Sequence, residues 1–456
     1  MFKKVLLTIL LLSALIISSH PVSAQDENGR IYIVQPGDSL SSIASNFNIS
    51  VDDLITANNI TDPNLLTAGQ QLVIPEIARV NIGDTYRILI RRMQIPQDIF
   101  LKMNHIISPN ELYIGDPMII VQQNIPQLTG IRTTKGETLL ELAVKQNTDA
   151  WTIAELNGLQ GSWDSLPDDT LFSPSGNNTQ TSSGLPSAFV SAKIRDLPIK
   201  QGGTGVVIVK TLPGVTLSGM LVDRLLHFFP LDDGTQVAFQ GVHAALTPGV
   251  YPLQIEAILP DGTKQSLEQS VIVQSGNYPT DPLLLVSPDT IDPTTNDAEI
   301  EKLNQITAPT TSTRYWQGAF ITPSPDFPDC HPSFFGNQRN YLGQGTNESY
   351  QSLHAGLDFC GRVGSPIAAA ADGSVIFTGM LTVRGNTTII DHGWGIYTVY
   401  CHQSQINVNV GDQVKAGSLI GQVGETGRVT GPHLHWELWV NGVQADPLDW
   451  LNQAYP

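Results

Sequence analysis

Cysteine is scarce in this sequence, with three residues among 456, and basic side chains are outnumbered by acidic ones, 24 against 42. Three cysteines allow at most one internal disulfide, and no two of them have the short spacing of a metal-binding pair. The net charge of -18 disfavours a nucleic-acid partner and attraction to anionic membrane surfaces. The N-terminal apolar run, from Val5 to Ile17, is shorter than the roughly 20 residues of a membrane-spanning helix.

The N-terminus places Lys3 and Lys4 before that apolar run and ends it with small residues, VSA. This order is typical of a secretory signal peptide, which we expect at residues 1–24, with cleavage after Ala24. An uncleaved membrane anchor is the alternative, although the run is short for one. We therefore expect a secreted chain without stable insertion in a membrane.

Residues 31–75 read as a strand, a turn, two amphipathic helices and a second strand. Ser39 can cap the first helix, whose apolar stripe consists of Leu40, Ile43, Ala44 and Phe47. With its PGDSL and GQQLVIP motifs, this βααβ segment resembles a LysM domain. The resemblance implies binding to glycans that contain N-acetylglucosamine, between the loop after the first strand and the loop before the last. The implied positions are Gly37, Asp38, Ser39, Ile60 and Pro63.

The same pattern returns in residues 78–121 and 131–174, which resemble degenerate LysM repeats. Sugar binding and a spacer role are both open for these two. Residues 175–185 are polar and predict a linker. Short alternating apolar runs in residues 186–276 predict an all-β sandwich of immunoglobulin-like type, and residues 277–313, rich in Pro, Asp and Thr, predict a second linker.

Two histidines stand two residues apart in GPHLHWELWV. In a strand His433, His435 and Glu437 share one face, whereas in a helix the two histidines would lie roughly 200° apart. A strand is therefore predicted. Upstream, HAGLD holds His354 and Asp358, about 13 Å apart on a straight strand, so that both can reach one metal ion only if the chain bends at the intervening glycine.

Two imidazoles and a carboxylate, with a fourth position left to water, form a common catalytic zinc site. Such an ion lowers the pKa of its water and polarises a carbonyl, while a nearby base takes the proton. In GPHLH one histidine can serve as a ligand and the other as that base. The spacing alone does not say which is which.

Residues 314–456 resemble the lysostaphin/LytM-type zinc metallopeptidases of the duplicated hybrid motif family, through HAGLD, YCHQS, VGETGRVTGPHLHWEL and VNGVQADPLDWL. The resemblance implies a β-rich, antiparallel-sheet domain that uses Zn²⁺ to cut the peptide crosslinks of bacterial peptidoglycan. It implies His354, Asp358 and His435 as metal ligands. It also implies His433 as the general base and His402 as a group that stabilises the tetrahedral intermediate.

Cys401 alternates with polar neighbours on a predicted strand and is expected to be buried, which leaves Cys330 and Cys360 as the pair expected by elimination. The resemblance implies a structural role for His392. For Glu437, support of an imidazole and a solvated strand edge are both open.

The whole chain is thus expected to be a multidomain, zinc-dependent endopeptidase of the bacterial envelope, held to glycan by LysM repeats while it cleaves stem peptides. A catalytically silent wall-binding regulator is the alternative. The strand and turn pattern of VNVGDQVKAGSLIGQVG also occurs in lipoyl and biotinyl carrier domains, but Lys415 lacks the flanking residues of a carrier lysine. A further expectation is that the segments before the peptidase cover its groove.

Overall fold

The computed structural model describes residues 30–35, 37–47, 49–58, 60–63, 65–95, 97, 100–101, 104, 106, 108, 111–120, 128–159, 169–174 and 184–456. The predicted signal peptide, residues 1–24, lies outside the described residues, as do residues 175–183 of the first predicted linker. No helix in the described part of the chain has the length and apolar character that a membrane crossing requires.

The first repeat has the βααβ order that its sequence predicts. Its elements are β1 (Arg30–Ile33), α1 (Leu40–Phe47), α2 (Val51–Asn58) and β2 (Gln71–Ile74), and the two strands pair antiparallel. Ser39 Oγ accepts a hydrogen bond from the backbone N–H of Ser42 at 3.1 Å, which confirms the predicted helix cap. Leu40, Ile43 and Ala44 are buried in the core of this repeat, whereas the side chain of Phe47 lies outside the described residues.

Asn58 fastens α2 to β2 with three hydrogen bonds. Its Nδ2 donates to the carbonyls of Leu54 and Val73, both at 2.9 Å, and its Oδ1 accepts from the N–H of Val73 at 2.7 Å. In the third repeat Asn157 makes the same three bonds, two of them to Phe172. The same hydrogen bonds at the same sequence spacing therefore hold the helix against the last strand in the first and the third repeat.

The second repeat contains β3 (Glu76–Arg79), α3 (Tyr86–Met93), β4 (Tyr113–Ile114) and β5 (Pro117–Ile120). The third contains β6 (Leu128–Arg132), α4 (Leu139–Lys145), α5 (Ala150–Leu156) and β7 (Thr170–Pro174), with β6 and β7 antiparallel. Thr138 and Glu141 form a capping box at the start of α4. Leu142, Ile153 and Leu171 close a small core beneath the two helices.

Two sheets follow, packed over one apolar core. Their strands are β8 (Phe189–Ile194), β9 (Ile199–Lys200), β10 (Thr204–Thr211), β11 (Thr216–Leu221), β12 (Arg224–Leu226), β13 (Phe229–Pro230), β14 (Gln236–Gly241), β15 (Gly249–Ile258) and β16 (Lys264–Gln274). One sheet has the order β13-β14-β10-β8 and the other β12-β11-β15-β16-β4, with β9 also on β16. The short β4 of the second repeat adds parallel to β16.

Strands β10 and β14 contribute buried side chains from both of their faces. Val207 and Val209 point into the core between the two sheets, whereas Val206 belongs to the core of the C-terminal domain. In β14 the same alternation places Ala238 on the first side and Phe239 on the second. The sheet is therefore shared between the sandwich and the C-terminal domain.

Residues 277–313, which the sequence predicts as a linker, contain regular structure. They form β17 (Leu284–Val286), a 3₁₀ turn (Pro288–Thr290) and α6 (Pro293–Thr307). Asp292 caps α6 by accepting from the N–H of Thr295 at 2.8 Å, and proline occupies the first helical turn. The Pro, Asp and Thr content that favours a linker thus belongs to a helix start, and Leu303 anchors the helix in a core cluster.

The C-terminal domain is an antiparallel β structure, as predicted. Its strands are β18 (Gln338–Gly343), β19 (Ser349–Leu353), β20 (Leu357–Cys360), β21 (Pro366–Ala368), β22 (Gly373–Leu381), β23 (Gly385–Gly393), β24 (Ile396–Ile406), β25 (Gln413–Val414), β26 (Leu419–Val423), β27 (His433–Val440) and β28 (Val443–Ala445), followed by α7 (Pro447–Asn452). The main sheet has the order β20-β27-β24-β23-β22-β25, with β21, β26 and β28 attached, and its pairings are antiparallel.

Candidate active site

The register of β20 against β27 sets Asp358 directly opposite His435. His354 reaches the same point because the chain bends at Gly356, as the sequence predicts. A Cβ added to this glycine would collide with the carbonyl oxygen of Trp436, so only glycine permits the approach. His354 Nε2, His435 Nδ1 and Asp358 Oδ1 lie 2.9 to 3.1 Å from one another.

The outer nitrogen of each imidazole has a fixed acceptor. His354 Nδ1 lies 2.8 Å from the carbonyl oxygen of Phe334, and His435 Nε2 lies 3.1 Å from Oε1 of Glu437. Because these oxygens can only accept, each outer nitrogen carries a proton, and the inner nitrogen is the one that can serve as a metal ligand. Two ring nitrogens and a carboxylate oxygen therefore converge, a donor set that fits Zn²⁺.

Burial and neighbouring charges favour a neutral His354 and an ionised Asp358, whereas for His435 the effect of burial is outweighed by Asp358 and Glu437, which raise the pKa of its imidazole. Burial lowers the pKa of His354 to about 4, against an opposing effect of Asp358, so the imidazole is neutral at physiological pH. For Asp358 burial acts upward, but His354 and His433 together hold the pKa of the carboxyl well below its usual range. The carboxyl group is consequently ionised.

His433 and His402 lie beside this cluster. In each of these rings Nδ1 makes a hydrogen bond to the backbone, and Nε2 is the available nitrogen. His433 Nδ1 donates to the carbonyl of Gly431 at 2.9 Å, and His402 Nδ1 donates to the carbonyl of Thr426 at 2.8 Å. The two rings lie 4.8 Å apart, and His433 Nε2 is 3.7 Å from Oδ1 of Asp358. Both Nε2 atoms can therefore exchange a proton next to the donor cluster.

His402 adopts a left-handed backbone conformation, with φ at 59°, at an irregularity in the pairing of β24 with β23. Such a conformation is uncommon for a residue other than glycine and concentrates at functional sites. Burial, followed by the neighbouring His433 and His435, lowers the pKa of His402 well below its usual range. The ring is thus neutral before it receives a proton.

A buried series of charged residues supports His435 through its Nε2 atom. Glu437 Oε1, which accepts from His435, lies 2.6 Å from Nε of Arg384, and Nη1 of Arg384 lies 3.0 Å from Glu299 on α6. The interpretation of Glu437 as a support for an imidazole agrees with these contacts. Neither Glu299 nor Arg384 has a sequence signal, because their partners are distant in the chain.

Arg339 contacts the opposite side of the cluster. Its Nη2 lies 2.5 Å from Oδ2 of Asp358, and its Nε lies 3.2 Å from Asp281. The guanidinium therefore orients the carboxylate while Oδ1 faces the two imidazoles. The segment FFGNQRNY contains this arginine, but no spacing rule marks it.

The cysteines do not belong to the cluster of His354, Asp358 and His435, although Sγ of Cys401 lies within 4.8 Å of a ring nitrogen of His435. Cys401 is free and completely buried, as expected, and burial raises the pKa of its thiol well above the usual range. Cys330 and Cys360 form a disulfide with their Cα atoms 5.4 Å apart. This bond joins the loop before β18 to the end of β20, the strand that carries Asp358.

The candidate glycan positions occupy two loops of the first repeat. Gly37, Asp38 and Ser39 form the turn between β1 and α1, where Asp38 accepts hydrogen bonds from Tyr32 and from a backbone N–H. Ile60 and Pro63 follow α2, and Pro63 is exposed.

Two family models match parts of this chain. Residues 352–447 match the family model described as Peptidase family M23, and residues 32–75, 78–121 and 131–162 match the LysM domain. The first match includes every candidate metal and catalytic residue.

Named relatives are similar to about a fifth of this chain. The chain is 43% identical over 96 residues to the DD-carboxypeptidase/endopeptidase Mpg of Neisseria meningitidis serogroup B, and 45% identical over 94 residues to the peptidoglycan DD-endopeptidase ShyC of Vibrio cholerae serotype O1. Each alignment covers 21% of this chain and 22% of the relative. The chain thus spans about a fifth of the length of these curated relatives. Among solved structures, the catalytic domain of lysostaphin from Staphylococcus simulans shares 32% identity and covers 27% of this chain and 91% of its own, with a TM-score of 0.23.

Proposed function

From a chain that carries a Peptidase M23 domain and three LysM repeats, we propose a zinc-dependent endopeptidase that cleaves peptide crosslinks of bacterial peptidoglycan. The observation that carries the proposal is the convergence of His354 Nε2, His435 Nδ1 and Asp358 Oδ1 with both imidazole protons turned outward. These three residues would hold Zn²⁺, which would supply a Lewis acid able to polarise a carbonyl and to lower the pKa of a water molecule.

His433 acts as the general base of this proposed reaction. Its Nδ1 proton is held by the carbonyl of Gly431, so that Nε2 is free to take a proton from the attacking water and to pass it to the leaving amine. His402, whose Nδ1 is held by Thr426 in the same manner, stabilises the developing oxyanion once its Nε2 has received a proton that it can donate. Arg339 and Glu437 keep the carboxylate and the imidazole in position.

The LysM repeats hold the enzyme on its polymer in this proposal. The first repeat binds glycan that contains N-acetylglucosamine through the loops with Gly37, Asp38, Ser39, Ile60 and Pro63. A tethered hydrolase acts on a raised local concentration of cleavable bonds. The same proposal includes export of the protein and a location in the bacterial envelope. It also includes an immunoglobulin-like type for the sandwich.

The test is digestion of purified peptidoglycan by the full-length, zinc-loaded protein, followed by mass analysis of the released muropeptides. We expect peptides cut at their crosslinks, and loss of the products after His435→Ala. Undiminished product from His435→Ala would overturn the enzymatic proposal and leave a wall-binding regulator as the better account.

A further inference from the structure

Three arginines line the surroundings of the donor cluster, and they differ in their partners. Arg339 faces Asp358, and Arg384 faces Glu437, each within ion-pair distance. Arg428 has no carboxylate at ion-pair distance among the described residues. In a chain with a net charge of -18, a partly buried cation without an anionic partner is unusual.

The position of Arg428 is nevertheless fixed. Its Nη1 donates to the carbonyl of Thr290 at 3.2 Å and to Oδ1 of Asn296 at 3.0 Å. Its guanidinium stacks over the ring of Tyr341, 4.2 Å from the centroid, with Tyr350 at 5.7 Å. Nε and Nη2 make no hydrogen bond to any described residue, so the stacked group keeps two donors in its plane.

Two cavities meet at this arginine. One, of about 380 Å³, is also lined by His354, His402 and His435. The other, of about 420 Å³, is also lined by Asp358 and His433. Arg428 therefore lines both cavities that border the donor cluster.

We propose that Arg428 binds a free carboxylate of the substrate peptide and makes the enzyme selective for acidic peptides. The inference rests on the proposed peptidase function. A guanidinium with two free N–H groups in one plane matches a carboxylate in a bidentate arrangement, and a partly desolvated pair of this kind is stronger than an exposed one. Arg428 is a specificity residue and takes no part in proton transfer.

The test uses the full-length, zinc-loaded protein and two crosslinked peptides that differ only in one group, a free carboxylate or its carboxamide. We expect kcat/KM to be roughly 10- to 100-fold higher for the free carboxylate, mainly through KM. Arg428→Gln should remove this preference, and Arg428→Lys should keep part of it. Arg195→Gln, at an arginine that lines neither cavity, should keep the full preference.

A wild-type enzyme that cleaves both peptides equally would overturn the carboxylate site and leave the peptidase intact. An Arg428→Gln enzyme that is slower on both peptides but still prefers the carboxylate would reduce Arg428 to a structural role and also overturn the proposal. Calorimetric binding of the two peptides separates the cases further. Carboxylate-dependent binding that disappears in Arg428→Gln supports the site even where cleavage fails, and such a failure would count against the peptidase alone.

Discussion

The Nε atom of Arg384 lies 2.6 Å from Oε1 of Glu437, the same oxygen that accepts from His435 Nε2. Arg384, which lies outside the donor cluster, therefore positions the Glu437 carboxylate, and this carboxylate orients the imidazole of His435. Arg384 also contacts Glu299, and Glu299 belongs to α6. Since α6 precedes the matched peptidase segment, the site depends on a helix that this segment does not contain.

Glu437→Gln should weaken metal binding about 10- to 100-fold, because a neutral amide is a poorer acceptor for the proton of His435. Competition for Zn²⁺ against a chromogenic chelator measures the change. Glu268→Gln, at an exposed carboxylate of the sandwich, serves as the matched control and should bind like wild type. Equal affinities for Glu437→Gln and the control would contradict the supporting role.

The two histidines of GPHLH should fail in different ways. His435→Ala removes a donor of the cluster and should release the metal, whereas His433→Ala should retain it and lose activity by at least about 100-fold, as expected for removal of a general base. Metal content after gel filtration and muropeptide release, measured on the same samples, distinguish the two. Metal loss from His433→Ala would contradict the assigned difference.

Much of this site was predictable because it depends on local geometry. Alternation along β27 places His433, His435 and Glu437 on one face, and the glycine of HAGLD permits the bend to His354. The charged residues around the cluster were not predictable. Their contacts join positions 19 to 85 residues apart, and no periodicity encodes such distances.

The order of the domains along the sequence was predictable, but the contacts between the domains were not. Alternating runs indicate strands in the sandwich, yet the run GVVIVK in β10 is apolar at consecutive positions because both faces are covered. Periodicity alone cannot say what covers the second face. The helix α6 was missed because its capping residues resemble those of a linker.

Phe239→Ala should destabilise the sandwich and the peptidase domain together. The ring packs against Trp316, Trp394 and Trp450, with centroids 6.0 to 6.3 Å away. Truncation of a buried phenylalanine costs about 3–5 kcal/mol. Denaturant unfolding followed by tryptophan fluorescence should show one shared transition at a lower midpoint. Val250→Ala, at an exposed position of β15, is the control, and separate transitions with an unmoved peptidase midpoint would contradict the shared core.

His392 should make folding sensitive to acid. It is completely buried, with Nδ1 2.7 Å from the carbonyl of Asp372 and Nε2 2.7 Å from Oγ1 of Thr398, and burial lowers its pKa to about 4. The unfolded chain, with a histidine pKa near 6.5, binds this proton more readily than the folded chain between about pH 4 and 6.5. The stabilising contribution of the neutral ring is therefore present above pH 6.5 and is lost as the pH falls toward 4.

The predicted loss over this window is on the order of 3 kcal/mol in the free energy of unfolding. Urea unfolding of the chelator-treated protein at several pH values measures it, so that metal release does not contribute. His392→Gln, which cannot titrate, should start from a lower stability at neutral pH and show a flatter decline than wild type. His227→Gln, at an exposed position, should keep the wild-type slope. A decline as steep in His392→Gln as in wild type would assign the acid sensitivity to other groups, such as His354 and His402.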